Sequence, residues 1–200
     1  TNMEVLYPGI EPPGLTRSAI ALKQQFQLPT EGIIVGAYQP ITVESVSESD
    51  HGLEALISAW KEVNHPATLA IGNANNLPDG NYHKVQVGRL EDFVSICDLW
   101  VVPGEKLGFS RQILSAMNLK KPVLAKASGG LPEIFEEDTS GFLYFDNEYL
   151  GQKLNALLEM ELTREAVGNA AGIHVQEHFN LRNSAHRLKQ IYFSIAEEQI

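Results

Sequence analysis

The sequence predicts a doubly wound α/β fold: a parallel sheet of about six strands, helices on both faces, and further helices at the carboxyl terminus. Three observations carry this reading. Short, almost wholly apolar runs at 32–38, 98–103 and 122–125 have the composition of strands buried on both sides. Stretches with apolar residues at helical spacing alternate with them. Twice, at Gly108-Phe109 and at Gly129-Gly130, a strand ends in glycine where a helix is expected to begin.

In chain order, residues 3–7 read as a short strand, followed by the turn-rich run Pro8-Gly9-Ile10-Glu11-Pro12-Pro13-Gly14. A helix is expected over 16–27, ended by Pro29, and a buried strand over 32–38. Residues 39–50 are acidic and aperiodic and read as a loop, with Asp50 as a cap for the next helix. In that helix Leu53, Leu56, Ile57 and Trp60 share one face. A strand over 67–71 precedes an Asn- and Gly-rich loop at 72–80, and a strand over 84–87 ends in Gly88-Arg89. A short helix over 91–97 leads to the strand at 98–103, and a helix runs through Met117 to the strand at 122–125. A short helix is expected to reach Phe135, then a turn at Ser140-Gly141 and a strand over 142–145. Helices over 148–160, 163–178 and 181–197 close the chain, the last capped by Asn180.

The glycine-led helix starts point to chemistry. A helix start leaves backbone N–H groups unpaired and carries partial positive charge, so it suits phosphate. Two such starts on consecutive parallel strands would sit side by side at the carboxyl edge of the sheet, where ligands of such sheets bind. Nucleotide or nucleotide-sugar binding is therefore the leading idea, and the plain alternative is that the glycines only permit tight turns.

Composition narrows the field. With 200 residues and 44% hydrophobic content the chain has the material for one domain with a real core. A formal net charge of −10 argues against a nucleic-acid backbone binder and against broad attraction to anionic membranes, although a local basic patch escapes that average. Cys97 is the single cysteine, so no disulfide framework forms within the chain, and a cytoplasmic setting is expected. Cys97 lies in an apolar run without an activating neighbour and reads as packing. No transmembrane-length apolar run is present, and the histidines show no metal-ligand spacing, so neither a metal nor a cofactor is expected.

The order of motifs resembles the carboxyl-terminal, donor-binding domain of retaining two-domain glycosyltransferases, the class that includes glycogen synthase, sucrose synthase and bacterial mannosyltransferases. The resemblance covers almost the whole chain. It rests on Gly129-Gly130-Leu131-Pro132-Glu133 followed by Ser140-Gly141-Phe142-Leu143, and on Gly108-Phe109 placed before Ala116-Met117. His51-Gly52-Leu53, Val87-Gly88 and the run 98–103 add to it in the same order. The resemblance implies a Rossmann-like domain that binds a nucleoside diphosphate sugar of the UDP, GDP or ADP type, with retention of stereochemistry on transfer. It also implies that the Gly-Phe turn offers backbone N–H groups to the diphosphate, that a glutamate precedes this turn, and that another precedes Ala-Met and holds the ribose hydroxyls. An arginine and a lysine normally neutralise the diphosphate.

This chain departs from the pattern at each charged position. Leu107 and Ser115 stand where the glutamates are expected, Ala37 at the arginine and His51 at the lysine, and Ser110 replaces a glycine. Removing one well-placed donor to a developing negative charge costs about 2.7–4 kcal/mol of barrier, so an active site here needs replacements. Glu105, Arg111, Lys106, Lys126, His51 and Arg89 are the candidates, Arg89 first because it follows Val87-Gly88 near the expected base. Lys106, Arg111, Lys120 and Lys121 read first as solvated surface, and Glu105 as an exposed loop acid. Glu133 reads as a helix-start acid, with an approach to the sugar as the second option.

The donor site expected from sequence is thus Gly36, His51, Arg89, Glu105, Gly108, Phe109, Ser110, Arg111, Ser115, Gly129 and Gly130, with catalytic residues unassigned. Residues 1–200 are expected to form one donor-binding domain whose partner is an amino-terminal acceptor-binding domain outside this chain, so that the domain alone is inactive. The alternative is a catalytically inactive relative used for binding or assembly. A third reading, an unrelated nucleotide-binding protein, is disfavoured by the absence of both G-x-G-x-x-G and G-x-x-x-x-G-K-[ST].

Overall fold

The computed structural model describes residues 6–15, 17–39, 52–74, 77, 79–104 and 110–197. Six strands, β1 (Ile34–Tyr38), β2 (Thr68–Gly72), β3 (His83–Val85), β4 (Leu99–Val102), β5 (Val123–Lys126) and β6 (Phe142–Tyr144), form one sheet in the order β3-β2-β1-β4-β5-β6. Every pairing is parallel. The order reverses between β1 and β4, and the crevice at such a switch point is where doubly wound sheets take ligands.

Helices α1 (Ala19–Gln25), α3 (Leu90–Ser95) and α4 (Arg111–Asn118) cover one face, and α2 (Leu53–Trp60) and α5 (Leu150–Glu159) the other. Helix α6 (Glu161–His178) contributes Ala171 and Val175 to the first core and Val167 to the second. Alternation along the strands divides the cores: Leu99 and Val101 face one, Trp100 and Val102 the other, and all four are fully buried. Leu53, Leu56, Ile57 and Trp60 form the buried face of α2, as their spacing predicts.

Local chemistry sets the helix ends. Ser18 caps α1, its Oγ accepting from the Ala21 amide at 3.3 Å. Asn180 caps α7 (Leu181–Glu197), its Oδ1 accepting from the Arg182 amide at 2.8 Å. Before α2 stands Gly52, with φ of 64°, and Asp50 lies outside the described residues. A Cβ on Gly52 would lie 2.1 Å from the Pro103 carbonyl oxygen, so only glycine lets α2 begin against the exit of β4.

Two expectations are corrected. Leu6 and Tyr7 are not in a strand, and residues 3–5 of the segment expected at 3–7 lie outside the described residues. Prolines 8, 12 and 13 interrupt ladder hydrogen bonding, and the segment instead straps across the α6–α7 joint, where the Ile10 amide donates to the Phe179 carbonyl at 2.8 Å. The helix expected to reach Phe135 is a single 3₁₀ turn, Leu131–Glu133, after which the chain turns through Glu136–Ser140, the Ser140 amide donating to the Glu136 carbonyl at 2.8 Å.

Candidate active site

A cavity of about 1110 Å³ opens where β1, β3 and β4 deliver their carboxyl ends, in the groove between α3, α4 and the strap at 8–14. Tyr38, the last residue of β1, forms part of its wall. Asn73 organises the neighbouring turn: its Nδ2 donates to the Tyr38 hydroxyl at 3.0 Å, and its Oδ1 accepts from the Val87 amide at 3.0 Å. This bracket fixes Gly88-Arg89 at the rim.

Arg89 and Arg111 supply the positive charge. Arg89 lines the cavity and donates from Nη2 to the Gly14 carbonyl at 3.0 Å, which ties it to the strap. Arg111, the first residue of α4, donates from Nη2 to Glu91 Oε1 at 3.2 Å. The Arg111 side chain is 79% exposed while that of Glu91 is 16% exposed. The strap is held from the other end by Asn118, whose Nδ2 donates to the Glu11 carbonyl at 2.7 Å.

Deeper in the same wall lie Gln112 and Ser115, one helical turn apart on α4. They are 7% and 1% exposed, and among the described residues neither Gln112 Oε1 nor Ser115 Oγ has a hydrogen-bond partner. Leaving a buried polar atom unsatisfied costs about 1–3 kcal/mol.

Of the residues expected at the site, Arg89, Ser110, Arg111 and Ser115 line this one cavity. Gly36 does not. It lies within β1 with Cys97 Sγ and the Trp100 ring where a side chain would be, so its smallness serves packing. Gly129 and Gly130 are outside the cavity lining but adjoin the exit of β4, where the Ser128 hydroxyl donates to the Gly104 carbonyl at 3.4 Å. His51, Glu105, Gly108 and Phe109 lie outside the described residues, as do Lys106 and Leu107. Ala37 is fully buried in the core beneath α2 and α5.

The remaining candidates have structural roles. Lys126 donates to Asn147 Oδ1 at 3.1 Å, and Glu133 accepts from the Tyr7 hydroxyl at 3.2 Å. Burial pushes the Cys97 thiol up, far from a thiolate, and its Sγ donates to the Phe93 carbonyl at 3.3 Å. Burial lowers the Lys121 ammonium. Among the described residues no three His, Cys, Asp or Glu side chains converge as metal ligands, and no helix is long and apolar enough to cross a membrane.

Glu91, Gln112, Asn118 and the strap were not anticipated from sequence. The polar pair Gln112 and Ser115, spaced i and i+3 among Ile113, Leu114, Ala116 and Met117, was the available signal.

Comparison with known proteins agrees with this architecture. Residues 75–173 match the family described as glycosyl transferases group 1. Sulfoquinovosyl transferase SQD2 of Arabidopsis thaliana is 34% identical over 104 residues, which make up 50% of this chain and 20% of that protein. Anabaena Alr3699/HepE, solved in complex with UDP-glucose, superimposes with a TM-score of 0.78 at 18% identity, covering 96% of this chain and 57% of that one. The C-terminal domain of the glycosyl transferase group 1 family protein LpcC from Francisella tularensis superimposes with a TM-score of 0.63 at 18% identity, covering 88% of this chain and 97% of that domain. The chain therefore spans one fifth of the plant relative and a little over half of the two-domain structure, but nearly all of an isolated carboxyl-terminal domain. Residues 75–173 thus match the glycosyl transferases group 1 family, and the fold of the chain is that of the carboxyl-terminal half of two-domain glycosyltransferases.

Proposed function

We propose that the cavity along α4 holds the nucleoside diphosphate part of a sugar nucleotide, and that the chain is the donor-binding half of a retaining glycosyltransferase. The observation that carries this reading is the convergence of Arg89, Arg111, Ser110 and Ser115 on one cavity at the carboxyl edge of the sheet. Arg111 and the backbone at Ser110 meet the diphosphate, Gln112 and Ser115 line the ribose, and Arg89, tethered to Gly14, flanks the base. The Arg111 guanidinium thus stands in for the cations expected at positions 37 and 51. The UDP-glucose bound by HepE supports a sugar nucleotide as ligand class. A cytoplasmic location is part of the same proposal.

Helix α7 supports the proposal of an amino-terminal acceptor-binding partner domain. Leu181, Ala185, Leu188, Tyr192 and Ile195 recur at spacings of four and three, and all five are exposed. A 17-residue helix with such a bare seam gains its stability from docking. The partner domain supplies the acceptor, so sugar transfer requires both halves.

Titration calorimetry with UDP, GDP, ADP and their sugar conjugates tests the donor site. Binding that Arg89→Ala or Arg111→Ala weakens is the expected result. Absence of heat with every nucleotide at millimolar concentration refutes it and leaves the inactive, binding-only reading, which the changed positions Ala37, His51, Leu107 and Ser115 favour.

A further inference from the structure

We propose that Glu91, on α3, accepts the ribose hydroxyl groups of the bound nucleotide, in place of a carboxylate at position 115. The assignment rests on the reading of the cavity as a nucleotide site. A vicinal diol presents two O–H donors, and an ionised carboxylate, with acceptor sites on both oxygens, is the side chain that takes both. Position 115 offers only a hydroxyl, and Gln112 offers one amide oxygen. Among the described residues lining the cavity, the acidic ones are Glu11 and Glu91. Glu11 is exposed, and it is held to Asn118 through its backbone. Glu91 is the one with a largely buried side chain.

The geometry provides for its release. The partner of Glu91 is Arg111, at 3.2 Å, whose guanidinium lies mostly in solvent. With the Arg111 end of the pair in water, the contact is readily exchanged. When a nucleotide enters, Arg111 turns to the diphosphate and Glu91 is left with free acceptor sites facing the sugar ring. The two side chains therefore hold each other's ligand sites in the empty state.

The test compares a nucleoside diphosphate with its 2′,3′-dideoxy analogue, by calorimetry on the full-length protein and on Glu91→Gln, which keeps the shape and removes the charge. The native protein prefers the ribonucleotide by about ten-fold or more, the range for hydrogen bonds to a charged acceptor. In Glu91→Gln, ribonucleotide affinity falls by a similar factor, dideoxynucleotide affinity stays level, and the ratio approaches one. An unchanged ratio in a folded Glu91→Gln protein overturns the assignment while leaving the cavity reading intact. So does a ratio that collapses in Ser115→Ala but not in Glu91→Gln. A native protein that binds neither nucleotide overturns both readings.

Discussion

Replacing Gly36 by alanine separates packing from binding at a position where sequence alone suggested the ligand. The added Cβ would lie 2.4 Å from Cys97 Sγ and 2.7 and 2.8 Å from two carbons of the Trp100 ring. Carbon and its neighbours reach optimal contact at about 3.5–4.0 Å, so something must move by roughly 1 Å. Cys97 and Trp100 are both fully buried, and the Trp100 ring packs edge-on to Phe93 with centroids 5.6 Å apart. Overpacking of this kind costs about 1–3 kcal/mol. For a domain of this size each kcal/mol lowers Tm by about 2–4 °C, so Gly36→Ala is expected to melt about 2–12 °C below the native protein. Differential scanning calorimetry and urea titration measure it. Adding Cys97→Ala removes the closest contact, so the two substitutions together should destabilise less than the sum of their separate effects. Nucleotide affinity of the folded protein should be unchanged. A native melting temperature in Gly36→Ala, or an affinity loss without a stability loss, refutes the packing account.

Arg164 is 6% exposed and donates from Nη1 to the Leu157 and Leu158 carbonyls at the end of α5. Arg164→Met should cost about 2–4 kcal/mol by urea titration, since two charge-assisted bonds at a helix carboxyl terminus are lost. His174 stacks near His178 with ring centroids 4.6 Å apart, and burial, then the neighbouring imidazole, lowers its pKa. The unfolded chain then binds the proton more readily than the folded one, so this contribution to stability is present above about pH 6.5 and is lost as pH falls through the lower folded-state value. Urea midpoints measured from neutral to acid pH should show that loss, and His174→Gln should reduce it. Because the Arg111 guanidinium lies largely in solvent, nucleotide affinity should weaken from about 0.05 M to about 0.5 M salt, and this salt dependence should shrink in Arg111→Ala. Calorimetry at the two ionic strengths reads it.

The sheet was legible because its strands need no tertiary information to be recognised. Leu99–Val102 is apolar at every position, and so short a run rich in Val and closed by Pro103 and Gly104 suits a strand buried on both faces. The residues that line the cavity were readable in part: Arg89 follows a predicted strand, Ser110 and Arg111 open a predicted helix, and Ser115 was named only through the family resemblance. Gly36 misled because a glycine in a strand has the same local signature whether it yields space to a phosphate or to Cys97 and Trp100. Gln112 escaped notice because a polar residue in a short helix ordinarily faces water. The strap was invisible because its hydrogen bonds go to Phe179 and Asn118, far along the chain.

The changed charges and the cavity describe one trade. A glutamate at position 115 would place its carboxylate where the present side chain is 1% exposed and makes no hydrogen bond among the described residues. Desolvating an ionised carboxylate there costs several kcal/mol unless ligand or protein donors compensate it. With serine at that position the penalty shrinks to that of a neutral hydroxyl. The charged pair sits instead at the mouth, on Glu91 and Arg111, where water meets at least one partner and the ions neutralise each other. A site of this kind is less strained when empty, and it draws less of its affinity from buried charge. The same substitutions that make the sequence look degenerate therefore relocate electrostatics from the floor of the cavity to its rim.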